Sequence, residues 1–157
     1  MRDVRDLGAN SGDMTEANLH HGAKVALFLG NRLACILRDD LPHIHYPNLW
    51  DLPGGAREGA ETTFQTVARE LHEELGLILS PDHLLWESAF SSLTAPDKWN
   101  AFFVAQMPAV SVNDIVFGDE GQRWALYDMD AFIALPNRVP SYGGRLAKWV
   151  AETGGLP

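Results

Sequence analysis

The chain is short of positive charge. Its 12 Lys and Arg face 21 Asp and Glu, a formal net charge of -9 over 157 residues. A surface that grips nucleic acid by its phosphates needs clustered basic side chains, so no nucleic-acid partner is expected. Should the substrate itself carry phosphate, something besides this chain's own cations must balance it. Cysteine is nearly absent too: Cys35, inside LACIL, has no partner for an internal disulfide, and its apolar setting reads as a buried strand position rather than a nucleophile. No apolar run is longer than VALFL, far below the roughly 20 residues that cross a bilayer, and the opening MRDVRDLGANSGDM holds no apolar leader. The expectation is a cytoplasmic protein with no membrane partner. Repeats and low-complexity segments are also missing.

What is present suits one folded unit. An apolar share of 46% beside 21% charged residues is ordinary for a globular domain, and the length suffices for one core. Residues 1–20 are polar and without period, so they read as an N-terminal arm, with residues 21–157 as a single domain. AKVALFLG and NRLACILRDD read as two strands joined by a tight Gly-Asn turn. DLPHIHYPNLWDLPGG is rich in proline and glycine and reads as a loop. HLLWESAFSSL, KWNAFFVAQM and QRWALYDM read as later strands, with NDIVFGDEG as a loop before the last. MDAFIAL reads as a short helix, and SYGGRLAKWVAE as a C-terminal helix burying Leu146, Trp149 and Val150. Hairpins on both sides of a central helix point to an α/β sandwich whose sheet mixes parallel and antiparallel pairs.

That central helix carries the chemistry. Phe64, Val67, Ala68, Leu71 and Leu75 fall on one stripe at 100° per residue, which predicts a helix with limits near Thr62 and Leu75, ended by a left-handed Gly76. Glu70 and Glu74 lie one turn apart beside the stripe, and Glu73 lies further out, within reach of Arg69. Two carboxylates aimed at one spot repel each other. A divalent cation reverses that cost, and all-oxygen donors suit a hard ion such as Mg²⁺, with Mn²⁺ as a substitute. On spacing alone a solvated acidic face explains the pattern equally well.

The wider pattern decides between them. Gly55, five residues, Glu61, seven residues, Arg69-Glu70-Leu71, one residue, Glu73-Glu74, one residue, Gly76-Leu77 matches G-x5-E-x7-R-E-U-x-E-E-x-G-U at every fixed position. By this motif, and by YPNLWDLPGG ahead of it, the chain resembles the Nudix hydrolases, MutT-like members in particular, over roughly residues 22–135. The resemblance implies a Nudix-type α/β/α sandwich and metal-dependent hydrolysis of a diphosphate linkage in a nucleoside diphosphate-X compound. It implies Glu70 and Glu74 as main metal ligands, Glu73 as a further ligand or water-mediated contact, and the Gly55 carbonyl as another oxygen donor. Arg69 is then an orienting residue and Glu61 a support for the loop. The general base is either Glu73, inside the motif, or Glu120, in the loop GDEGQRW.

The implied partner is a small-molecule nucleotide, and a homodimer is a common assembly among relatives. Secondary signatures of NADH, ADP-ribose, dinucleoside polyphosphate and coenzyme A hydrolases are missing. What remains is a generic member, best matched to cleaving a plain or modified nucleoside triphosphate into monophosphate and pyrophosphate. ADP-ribose or another nucleotide sugar, and a non-catalytic nucleotide-binding module, are the alternatives. His43 and His45 read as exposed loop residues, Trp50, Trp99 and Trp124 as core packing, and Arg38 as a solvated surface residue.

Overall fold

The computed structural model describes residues 19–157. All but the last two residues of the expected N-terminal arm therefore lie outside the described residues. His20 is buried against the body, its Nε2 2.8 Å from the Thr66 hydroxyl.

Seven strands form one sheet: β1 (Gly22–Leu29), β2 (Arg32–Leu37), β3 (Trp50–Asp51), β4 (Gly54–Ala56), β5 (Leu84–Ser91), β6 (Trp99–Met107) and β7 (Arg123–Tyr127). The main path runs β3-β2-β1-β6-β5, with β4 added to β1 and β7 to β2. Among the named strands of the described residues only β1 and β6 pair in parallel, from Gly22 opposite Asn100 to Leu29 opposite Met107. The tight turn joins β1 to β2 as expected, with Leu29 opposite Arg32. β3 and β4 are too short to show a period-2 pattern, so the sequence reads them as loop. They exist because β2 and β1 offer free edges there.

Among the described residues three α-helices cover the sheet: α1 (Thr63–Leu75), α2 (Met129–Ala134) and α3 (Tyr142–Thr153). Alternation along the central strands supplies both faces with apolar side chains, as a strand covered on both sides requires. Val25, Leu27, Phe103 and Ala105 join Val67, Leu71 and Leu75 of α1 in one core. Ala26, Phe28, Phe102 and Val104 join Phe132 of α2 and Tyr142, Leu146 and Trp149 of α3 in the other. The expected α/β/α sandwich is thus present. On α3 the buried face is Tyr142, Arg145, Leu146 and Trp149, whereas Val150 is 37% exposed. The expected face is turned by one position because an arginine occupies the apolar stripe.

α1 is well delimited. The Thr62 hydroxyl accepts from the Gln65 amide at 3.1 Å while the Gln65 side chain accepts from the Thr62 amide at 2.9 Å, a reciprocal cap. Gly76, at φ 70°, ends the helix in the left-handed conformation. The loop after β6 then folds back onto the helix end: the Val116 and Gly118 amides donate to the Leu75 and Glu74 carbonyls at 2.8 and 2.9 Å. Helix carbonyls that lack partners inside the helix are satisfied in this way.

Candidate active site

Between α1, β4 and the start of α3 lies a cleft of about 420 Å³, lined among others by Gly55, Glu70, Glu74, Glu120 and Arg145. Two glycines let its floor exist. Gly54 has φ 134°, and a Cβ there would fall 2.1 Å from the Ala23 carbonyl oxygen. A Cβ on Gly55 would fall within 2.7–2.8 Å of the three carboxyl atoms of Glu70. The missing side chain at Gly54 lets the strand lie close to β1, and the one missing at Gly55 lets it lie close to α1.

The two ends of the acidic motif are treated differently. Glu61 is saturated: Arg69 donates to both its oxygens at 2.8 and 3.1 Å, the Glu58 amide donates at 2.8 Å and the Thr66 hydroxyl at 3.2 Å. The Arg69 hydrogen bond is the largest of the effects that hold its carboxyl down to about 2. Arg69 also donates to the Ala56 carbonyl at 2.9 Å, tying loop to helix. Glu74, by contrast, accepts one hydrogen bond, from the Gly54 amide at 2.8 Å. Burial, with the repulsion of Glu70 and Asp51 added, pushes its carboxyl up to about 8 against the pull of Lys24. Burial raises Glu70 as well, opposed by an Arg69 hydrogen bond at 3.0 Å.

Glu73 stands apart from the pair. Its side chain is 56% exposed and meets Arg69 at 3.3 Å, on the outer side of the helix. Among the described residues no group of three or more His, Cys, Asp or Glu side chains is gathered to hold a metal ion. The structure therefore brings together Glu70, Glu74 and Gly55 but not Glu73. Glu120 is exposed and reaches the same cleft, on a loop pinned at both ends. On one side that loop is bonded to the end of α1, as described. On the other, the Gly121 amide donates to Asp39 at 3.2 Å and the Gln122 amide to the Leu37 carbonyl at 2.8 Å.

The donor set fits a hard divalent cation. Two carboxylates one helical turn apart, poorly compensated and partly buried, face a cleft beside a backbone strand, and Mg²⁺ is commonly held by one or two carboxylates with waters and phosphate oxygens filling the rest.

Among the remaining positions one came out differently from expectation. Arg38, expected as solvated, lines the cleft and donates to Asp51 at 2.9 Å. Asp51 was not singled out in sequence, yet it is the hub of the far wall: it also accepts from Lys24 at 3.0 Å, the Leu52 amide at 2.7 Å and the Tyr142 hydroxyl. Burial opposes its charge, but Lys24, Tyr142 and Arg38 together hold its carboxyl below the usual range. His43 and His45 are exposed, and of the two only His45 lines the cleft. Trp50 is buried in the core, while Trp99 and Trp124 are half-buried against it, and none of the three lines the cleft. Cys35 is fully buried, and burial pushes its thiol well up, away from thiolate chemistry.

The model of the NUDIX domain matches residues 20–149. The chain belongs to the Nudix family. The match runs beyond the span legible from the motif and takes in most of α3. Over 75 residues the chain is 37% identical to an m7GpppN-mRNA hydrolase, NUDT17, of Danio rerio, covering 44% of this chain and a quarter (25%) of that protein's length. A MutT protein of Methanosarcina mazei Go1 superposes with a TM-score of 0.66 at 19% identity, over 83% of this chain and 92% of that one. A bifunctional NMN adenylyltransferase/ADP ribose pyrophosphatase of Francisella tularensis, complexed with AMP and a Mn ion, superposes with a TM-score of 0.64 at 20% identity, over 96% of this chain and 49% of that one. At these identities the two structures establish the shared Nudix fold. No helix among the described residues is long and apolar enough to cross a membrane.

Proposed function

We propose that this Nudix chain hydrolyses a phosphoric anhydride in a nucleoside diphosphate-X compound, with a plain or modified nucleoside triphosphate, cleaved to monophosphate and pyrophosphate, as the leading substrate. The observation that carries the reading is the convergence of Glu70 and Glu74, from adjacent turns of α1, on the cleft beside Gly54 and Gly55.

Glu70, Glu74 and the Gly55 carbonyl would hold Mg²⁺, or Mn²⁺ in its place. When bound, the ion supplies the charge neutralisation that anhydride cleavage needs and that a chain of net charge -9 otherwise lacks. Arg69 positions Glu70 and fixes the Gly55–Ala56 strand against the helix. Glu120 is favoured over Glu73 as general base, because it lines the cleft whereas Glu73 is engaged with Arg69 outside it. In this role its carboxylate takes a proton from the water that attacks phosphorus, and the bridging oxygen leaves with the departing phosphate. Lys24 is held in the wall by Asp51 and by the Leu52 and Gly54 carbonyls, which keeps a cation beside Glu74.

A second reading, a nucleoside diphosphate joined to a larger group, is favoured by the similarity to the m7GpppN-mRNA hydrolase. One experiment addresses both. The purified chain is incubated with Mg²⁺ and nucleoside triphosphates, ADP-ribose, nucleotide sugars and a capped dinucleotide, and phosphate-bearing products are separated. Release of pyrophosphate from a triphosphate supports the first reading, and cleavage confined to the linked compounds supports the second. No product from any of them would favour a nucleotide-binding module without activity.

A further inference from the structure

Arg145 is placed where an arginine is costly. It lies on the buried face of α3 and is only 6% exposed. Its guanidinium sits over three rings, 4.9 Å from the centre of Phe90, 5.5 Å from Phe102 and 5.9 Å from Tyr142. Among the described residues it has no hydrogen bond and no ion pair through its side chain. The wall carboxylate whose charge acts on it, Asp51, is already committed to Lys24, Arg38, Tyr142 and the Leu52 amide. Ring faces attract a cation but satisfy none of its five N–H donors, so these are left to whatever fills the cleft.

The guanidinium is nevertheless part of the cleft lining. The same cleft is also lined by small hydroxyl and amide side chains, Ser92, Thr94, Asn100 and Ser141. Ser141 stands at the N-cap of the twelve-residue α3 and makes no side-chain capping bond.

We propose that Arg145 anchors a second anion subsite in the cleft, which takes a phosphate group of the substrate beyond the pair gathered at Glu70 and Glu74. The inference rests on the reading of this cleft as a phosphoric-anhydride site. A planar fork of donors matches phosphate oxygens in a bidentate manner, and an anion is the one ligand class that offsets the buried charge as well as the unused donors. The substrate class narrows accordingly to compounds with three or more phosphates, or with a phosphate on the group joined to the diphosphate. Arg145 then fixes which anhydride lies over the carboxylates.

The test is equilibrium binding of inorganic tripolyphosphate, with Mg²⁺ and at fixed ionic strength, to the chain and to Arg145→Met, Arg145→Gln and Arg145→Lys. Removing the charge is expected to weaken binding by about tenfold or more, while Arg145→Lys keeps most of the affinity. Arg145→Met should melt no lower than the parent, because it relieves a buried, unpartnered cation without leaving a hole. Arg145→Gln removes the same charge and decides the question should the Met variant not fold. Unchanged affinity with a lowered melting temperature would mean that Arg145 only staples the rings together, and the subsite would be withdrawn. Failure of the parent chain to bind tripolyphosphate would also overturn it. A chain that binds through Arg145 but cleaves nothing in the nucleotide panel would sink the hydrolase reading and leave the subsite standing.

Discussion

Glu61 and Glu74 belong to one motif and pack around one helix, yet their surroundings are opposite. Around Glu61 the chain supplies a guanidinium, an amide and a hydroxyl, and the carboxyl is held down to about 2. Around Glu74 it supplies one amide and a shared lysine, and the carboxyl is pushed up to about 8. Arg69 reaches Glu61, Glu70 and Glu73, while Glu74 is left to the Gly54 amide and the pull of Lys24. The chain completes the contacts that hold the loop and leaves incomplete the ones that face the cleft. A carboxylate left short in this way is a binding group awaiting a partner, and a saturated one is scaffold.

The sharpest way to separate the two is substitution. Glu74→Gln should lower turnover of the best nucleotide at least about a hundredfold while the metal-free chain melts no lower at neutral pH, since a carboxyl pushed up to about 8 is mostly uncharged there and Gln preserves its shape. A melt and a steady-state assay on the same sample check it, and near-normal turnover would take Glu74 out of the site. Next in size is the contrast between the two candidate bases. Glu120→Gln is expected to reduce kcat by about a hundredfold, the lower end of what a general base contributes, and Glu73→Gln by clearly less. The reverse order would return the role to the motif.

Glu61→Ala should act on stability, at a cost of about 1–3 kcal/mol for a charge-assisted network opened on one side, with a smaller effect on kcat than Glu74→Gln. Chemical denaturation measures it. The smallest expected effect is in pH dependence. With a chelator present, the contribution of Glu74 to stability is complete below its ordinary value of 4.5 and is lost as pH rises through about 8. The contribution of Glu61 runs the other way, being lost only as pH falls from 4.5 toward about 2. Melting temperatures from pH 5 to 9 should therefore decline without metal, and saturating Mg²⁺ should flatten the decline. A flat profile without metal would erase the distinction between the two glutamates.

Much of this was legible in the sequence because it is local. The helix limits, the capping glycine, the apolar stripe and the tight turn between β1 and β2 all depend on residues within a few positions of one another. The same holds for the placement of Glu70 and Glu74 on adjacent turns. What stayed hidden is built from distant partners. Asp51 meets Tyr142 across 91 positions, so nothing near WDLPGG marks it as a hub. Arg38 looked solvated because its acceptor lies on another strand, and the loop holding Glu120 is placed by the carbonyls at the end of α1. Arg145 did leave a trace: it occupies a position of the apolar stripe of α3, with Tyr142, Leu146 and Trp149 on the same face. An arginine on such a stripe marks a place where a buried partner or a ligand is needed.

The parallel pairing of β1 with β6 has a consequence for the order of assembly. Everything that forms the catalytic motif is strung between these two strands, so their alignment closes a long loop, and such closures slow folding. During synthesis the hairpin and α1 emerge well before β6 can dock. α3, which carries Arg145, emerges later than β6, so a newborn chain could gather its acidic side chains before the wall opposite them is in place.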